Sequence, residues 1–232
     1  MSLNSPETFQ ILCRFYPLVL FCIMADLLPV FPLPLCLFRQ ELLPLHIYEP
    51  RYVQMIGECV SEHSPFVLLP VIQGVRMEVG TIASVQQVVN KYQGGSCDIL
   101  VRGQFVVDID DYLASANPNQ PDQVWCTPRA FDDDEDKELT LRIDDLLQEV
   151  LLLIEDTDPQ RFKSASRIAE FIHKIGLTPE QEFELLQLED YAGQQQRVLH
   201  WLKELFEHLS AVAQMKRAIS LNGHFRDFRE PQ

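Results

Sequence analysis

The chain of 232 residues is 47% hydrophobic and 23% charged, ordinary globular proportions with length for one large domain or two small ones. Its net charge of −15 is spread over both parts, residues 1–127 carrying −6 and residues 128–232 carrying −9; no broad basic face is expected, and nucleic acid is disfavoured as a partner. Six scattered cysteines (Cys13, Cys22, Cys36, Cys59, Cys97 and Cys126) form no C-x-x-C pair, which argues against zinc ribbons and disulfide frameworks and for packed thiols in a cytoplasmic protein.

In chain order, the first feature is the apolar run FYPLVLFCIMA at residues 15–25. It is well short of the roughly 20 residues a membrane helix needs, and Pro17 interrupts it. A signal peptide is disfavoured too, because Arg14 is offset by Glu7 and no A-x-A site follows. Residues 1–24 are therefore read as a leader or upstream extension, with Met24 as the natural start of the folded protein.

Between Leu27 and Met55 the chain is apolar yet holds Pro29, Pro32, Pro34, Pro44 and Pro50. Proline removes a backbone donor, so a continuous helix is excluded; short strands broken by corners fit instead. Pro50 is suited to a first helical position, and Tyr52, Val53, Ile56, Cys59 and Val60 then recur at helical spacing, giving one helix that stops before Pro65. Strand-like runs follow at 65–72, 79–89, 97–109 and 124–131, with Gly94-Gly95 as a hairpin turn. Ile99, Val101, Phe105 and Val107 share a strand face that Gly103 interrupts as a bulge or a point of close packing. Residues 25–131 thus read as a small β-barrel with one inserted helix.

The period then changes to 3.6. DDDED at 132–136 is a solvated linker or helix-entry run, since unspaced aspartates lack calcium-loop geometry. A helical subdomain is expected over 138–220, followed by a tail at 221–232. Its first helix presents Leu139, Ile143, Leu146, Leu147, Val150 and Leu151. A second is expected over Pro159–Ile175 with Phe162, Ala165, Ile168, Ala169 and Ile172 inward and Gly176 as its stop. Thr178-Pro179-Glu180-Gln181 is a capping-box start for a third. The last, about Tyr191 to Ile219, carries a stripe from Val198 through Leu202, Leu205 and Leu209 to Val212, with Trp201 as an interhelix anchor.

Catalytic motifs are missing: there is no P-loop, dinucleotide fingerprint, H-E-x-x-H or G-x-S-x-G. Cys59 and His63 lie at i, i+4 and could form a Cys–His nucleophile pair, but Cys59 also belongs to the apolar helix face. His46, Glu49 and His63 lack familiar zinc-ligand spacing. No catalytic, cofactor-binding or metal-binding residue is assigned, and no cofactor is expected. The basic, phenylalanine-bearing tail KRAISLNGHFRDFREPQ either closes a core or docks elsewhere.

Two segments carry a resemblance. Pro29-Val30-Phe31-Pro32-Leu33 with Phe38, then Pro44-Leu45-His46-Ile47-Tyr48-Glu49-Pro50-Arg51-Tyr52, resembles the opening of the Lon N-terminal (substrate-binding, LON) domain, P-L-F-P-L followed by P-L-x-I-F-E-P-R-Y. Val79-Gly80-Thr81 and the stretch from Asp98 to Gly103 are similar to later strands of that family. One departure is Arg39-Gln40, where the family has a Pro-Gly turn. The family's signature falls on Pro44, His46, Glu49, Pro50, Arg51, Tyr52, Gly80 and Gly103, whose expected role is mainly structural. The resemblance implies an α+β fold, a PUA-like barrel with one inserted helix followed by a helical bundle. It also implies a non-enzymatic role in recognising unfolded or extended polypeptides, as an adaptor to a protease or chaperone partner in protein quality control. The ATPase and protease modules of Lon protease are not seen within these residues, so a stand-alone LON-domain protein is expected. RNA binding, suggested by the PUA-like fold, and hydrolysis through Cys59 and His63 are the alternatives.

Overall fold

A computed structural model describes residues 27–154 and 167–223. Seven strands appear: β1 (Leu28–Leu33), β2 (Leu42–Ile47), β3 (Phe66–Ile72), β4 (Val75–Arg76), β5 (Val79–Lys91), β6 (Cys97–Leu113) and β7 (Gln123–Pro128). The described helices are α1 (Pro50–Glu62), α2 (Lys137–Leu153), α3 (Pro179–Leu186) and α4 (Tyr191–Gly223), with 3-10 turns at Ile168–Glu170 and Ile172–Lys174. The fold is mixed α+β, as expected. No helix among the described residues is long and apolar enough to cross a membrane.

Antiparallel pairing runs β1-β7-β6-β5-β3, and a parallel β1–β3 pair closes the path into a barrel. Strand β6 is long enough to serve twice. Its first half pairs with β2 and the far end of β5, and its second half pairs with β7. Hydrophobic residues follow that division. Ile99 and Val101 pack with Phe31, Leu37, Phe66 and the buried face of α1, whereas Phe105 and Val107 pack with Val30, Ile82 and Val124.

Gly103 sits at the switch. A Cβ there would stand 2.1 Å from the Phe38 carbonyl oxygen. The close approach is held by a reciprocal pair: the Gln40 N–H donates to the Gly103 oxygen at 2.9 Å, and the Gly103 N–H donates to the Glu41 oxygen at 3.1 Å. Gly80 is confined similarly, its missing Cβ falling 2.9 Å from the Leu68 oxygen. Beside it, the fully buried Thr81 donates its hydroxyl to the Leu37 carbonyl at 2.5 Å. The turn at Arg39-Gln40 keeps a left-handed residue, with Gln40 at φ 63° where glycine would be cheaper. Gly94-Gly95 has positive φ at both residues, as a tight β5–β6 hairpin requires. A second hairpin, over Gln73-Gly74, also uses positive φ at both positions.

Helix α1 buries Tyr52, Met55, Ile56 and Cys59, but Val60, expected inward, is 39% exposed. Val60 lies on the last turn of the helix, where the neighbouring Cys59 is the buried residue.

The chain divides into two compact units, and the division in space differs from that in sequence: residues 172–189 group with the barrel. Within the barrel unit, α3 begins with the expected capping box, Thr178 and Gln181 bonding each other's backbone. His173 places one ring nitrogen 2.9 Å from Glu41 and the other 2.8 Å from Glu182. Glu41 also accepts the Phe38 N–H at 2.8 Å. An imidazole that donates from both nitrogens must be the cation. Burial disfavours that charge, but the hydrogen bonds to Glu182 and Glu41 outweigh it and push the His173 pKa up to about 10. Nearby Cys36 is held protonated by burial and by the same two carboxylates.

The second unit contains α2 and α4. Leu139, Ile143, Leu147, Val150 and Leu151 form the buried face of α2, with Leu146 only partly covered. Gln195, 1% exposed, accepts the Asp136 N–H and donates to the Asp136 oxygen and the Thr140 hydroxyl, joining the helix ends. On α4, Val198, Leu199, Trp201 and Leu202 are buried, but Val212, expected in the same stripe, is exposed. The helix expected over 159–175 is corrected in its described part: residues 167–175 hold two 3-10 turns, with no side-chain cap at Arg167 and isoleucines that favour the helix less than leucine or alanine, while residues 155–166 lie outside the described residues. Most of the basic tail also lies outside the described residues.

Candidate functional site

Six of the family-signature residues, Pro44 to Tyr52, lie along β2 and the entry to α1, while Gly80 and Gly103 are the close-approach points on β5 and β6. Pro44 lies exposed on strand β2, which among the described residues pairs only with β6, a position where a missing donor costs least. Two residues on, His46 approaches Asp98 at 2.6 Å, and the Asp98 carboxylate also accepts from Tyr92 and Asn90. Those bonds, Tyr92 foremost, hold the Asp98 pKa down to about 2. Glu49 is the extended residue before α1, and its oxygen accepts the Tyr52 and Val53 N–H groups. Pro50 opens the helix. The Arg51 guanidinium reaches Glu49 at 3.1 Å and lies 4.5 Å from the Tyr52 ring centre. Tyr52 is buried against Phe31 with ring centres 4.5 Å apart. These contacts fasten the helix start to the barrel, and none of them leaves a reactive group poised.

At the other end of α1 lies a cleft of about 730 Å³. One wall is the last two turns of the helix, with Gln54, Met55, Glu58, Cys59 and Glu62. The facing wall is the β6–β7 loop, residues 113–123, and the floor is the start of β1 at Leu28 and Pro29. His63 ends the helix in the left-handed conformation, φ 55°, with its N–H on the Cys59 oxygen, and so turns the chain along the rim. The loop is preformed by Asp122, whose carboxylate accepts the Ser115 N–H at 2.8 Å and the Tyr112 hydroxyl. Its backbone oxygen meanwhile accepts the Val30 N–H at 2.9 Å. Burial would raise the Asp122 pKa, but the Tyr112 and Ser115 bonds hold it low, so the anchor stays ionised. Tyr112 is correspondingly pushed up, by burial first and by Asp122 next.

Both members of the Cys59–His63 pair line this cleft. Cys59 is only 4% exposed, however, and burial raises its pKa more than the Ser64 hydrogen bond lowers it. A packed, protonated thiol is a poor nucleophile. Glu49 and His63 stand at opposite ends of a helix about 20 Å long by its residue count. They cannot share a metal ion with each other.

Sequence reasoning reached the helix wall but missed the loop. Asn117, Pro118, Asn119 and Pro121 are turn residues, but no local pattern shows that Asp122 ties this loop to β1.

The family model of the ATP-dependent protease La (LON) substrate-binding domain matches residues 27–204. Among solved structures, the Lon N-terminal domain protein from Xanthomonas campestris is similar at 21% identity and TM-score 0.57, covering 76% of this chain and 98% of that one. The N-terminal domain of Mycobacterium avium complex Lon protease is similar at 20% identity and TM-score 0.57, covering 77% of this chain and 98% of that one. No curated protein sequence matches. The fold agrees with both structures, and the family match spans the barrel, α1 and most of the helical part; the chain belongs to the ATP-dependent protease La (LON) substrate-binding domain family.

Proposed function

We propose that the protein is a non-enzymatic binding module that holds unfolded or extended polypeptide in the cleft beside α1. In this reading it acts as a cytoplasmic adaptor between such polypeptides and a protease or chaperone partner. The cleft is the observation that carries the reading. Its volume of about 730 Å³ admits several side chains of an extended segment, its floor is apolar, and its loop wall is anchored in advance. Family membership supports substrate recognition, since the family is described as a substrate-binding domain. The protonated state of Cys59 supports a binding role over hydrolysis.

The test uses reduced and alkylated lysozyme, a permanently unfolded chain, against native lysozyme in an anisotropy assay. Binding of the unfolded form alone, lost when Ala114→Trp fills the cleft from the exposed loop, is the expected outcome. Equal binding of native and unfolded forms, or none of either, would sink the proposal.

A further inference from the structure

We infer that the cleft selects segments in which apolar side chains alternate with lysine or arginine. This inference rests on the peptide-binding reading and adds the chemical class of the segment.

The lining is asymmetric in charge. Among the described residues, Glu58 and Glu62, one helical turn apart on the α1 wall, are its only acidic side chains, and no described lysine or arginine lines it. The other titratable groups on the lining are His63 at the rim and the buried Cys59. The loop wall opposite contributes the uncharged Ser115, Gln120 and Gln123. Both glutamates are exposed, and Glu58 is oriented by the Gln54 amide at 2.8 Å.

A lysine or arginine entering the cleft could lay its alkyl stem on Met55 and Leu113 while its charged end reaches Glu58 or Glu62. The apolar residues flanking it would meet Leu28 and Pro29 on the floor. A glutamate in the same register would be pressed against two like charges, so rejection adds to attraction. The net charge of −15 extends the same preference to the approach. Each exposed pair contributes little, and two together correspond to roughly a 10-fold preference at low salt.

The experiment uses the full chain and short labelled peptides that share their apolar residues and differ only in carrying lysine, glutamine or glutamate between them. The lysine peptide is expected to bind about 10-fold more tightly than the glutamate peptide, with glutamine between. The order should flatten in high salt and in the double variant Glu58→Gln, Glu62→Gln, and Ala114→Trp should abolish binding of all three. Equal binding of all three by the native chain, still lost in Ala114→Trp, would overturn the charge selectivity and leave the polypeptide reading standing. Failure of every peptide to bind would remove both. Self-association abolished by Ala114→Trp would assign the cleft to a second copy of the chain and overturn the inference as well.

Discussion

Adding one methyl group at Gly103 should be among the most costly small changes in this protein. The Cβ of alanine would stand 2.1 Å from the Phe38 oxygen and 3.0 Å from its carbonyl carbon, both backbone atoms that cannot swing aside. Ordinary contact begins near 3.4 Å, so the two segments must part by about 1.3 Å. That movement breaks the reciprocal Gln40–Gly103–Glu41 hydrogen bonds, worth about 1 kcal/mol each. It also displaces Leu37 and Phe38, which are 0% and 3% exposed. The expected loss is about 3–5 kcal/mol. Gly57→Ala is the control, because nothing lies within 4 Å of its Cβ. On the exposed side of α1, it should stabilise by roughly 0.5–1 kcal/mol. Urea unfolding followed by circular dichroism measures both, with a shifted midpoint at constant slope. A Gly103→Ala loss below about 1 kcal/mol, or two variants of the same sign, would refute the close-approach argument.

Stability should be pH-dependent through His173. Its folded pKa of about 10 lies above the 6.5 of a free imidazole, so its contribution is fully present below about 6.5 and is lost as pH rises through about 10. His173→Gln should be less stable at neutral pH and lack that alkaline decline, and an unchanged profile would contradict the two-carboxylate contact. Thr81→Val keeps the shape but leaves the Leu37 carbonyl without its donor, for an expected cost of about 1–2 kcal/mol by chemical denaturation. Cys59 should resist iodoacetamide at neutral pH until the protein unfolds; rapid native-state labelling, located by mass spectrometry, would restore the case for a reactive thiol.

Much of the local structure was legible because it depends on neighbours in the chain. The spacing of Tyr52, Ile56 and Cys59 announced α1, Thr178 and Gln181 announced the start of α3, and Gly94-Gly95 announced a hairpin. Errors arose where a local pattern was outvoted. Val60 has the right spacing but sits on the last turn of α1, where the helix has run past its cover. Ile168 and Ile172 are buried as periodicity suggested, yet on 3-10 turns. The signature segment identified the family correctly and carried no reading of where a cleft lies.

By itself, the sequence determined strand and helix identities, the corners set by proline, and the family to which the chain belongs. Each of these follows from backbone restrictions and short-range periodicity. Tertiary structure alone decided which distant groups meet. Glu41 and His173 are 132 positions apart, yet they form a buried charged contact whose cost no local pattern can register. The Asp122 anchor that shapes one wall of the cleft likewise bonds Val30 across the barrel seam, where two strands remote in sequence become neighbours. The cleft arises from closure of the sheet, which sets β1 beside β7 although sequence order keeps them apart, whereas its charge is local to α1, where Glu58 and Glu62 stand one turn apart.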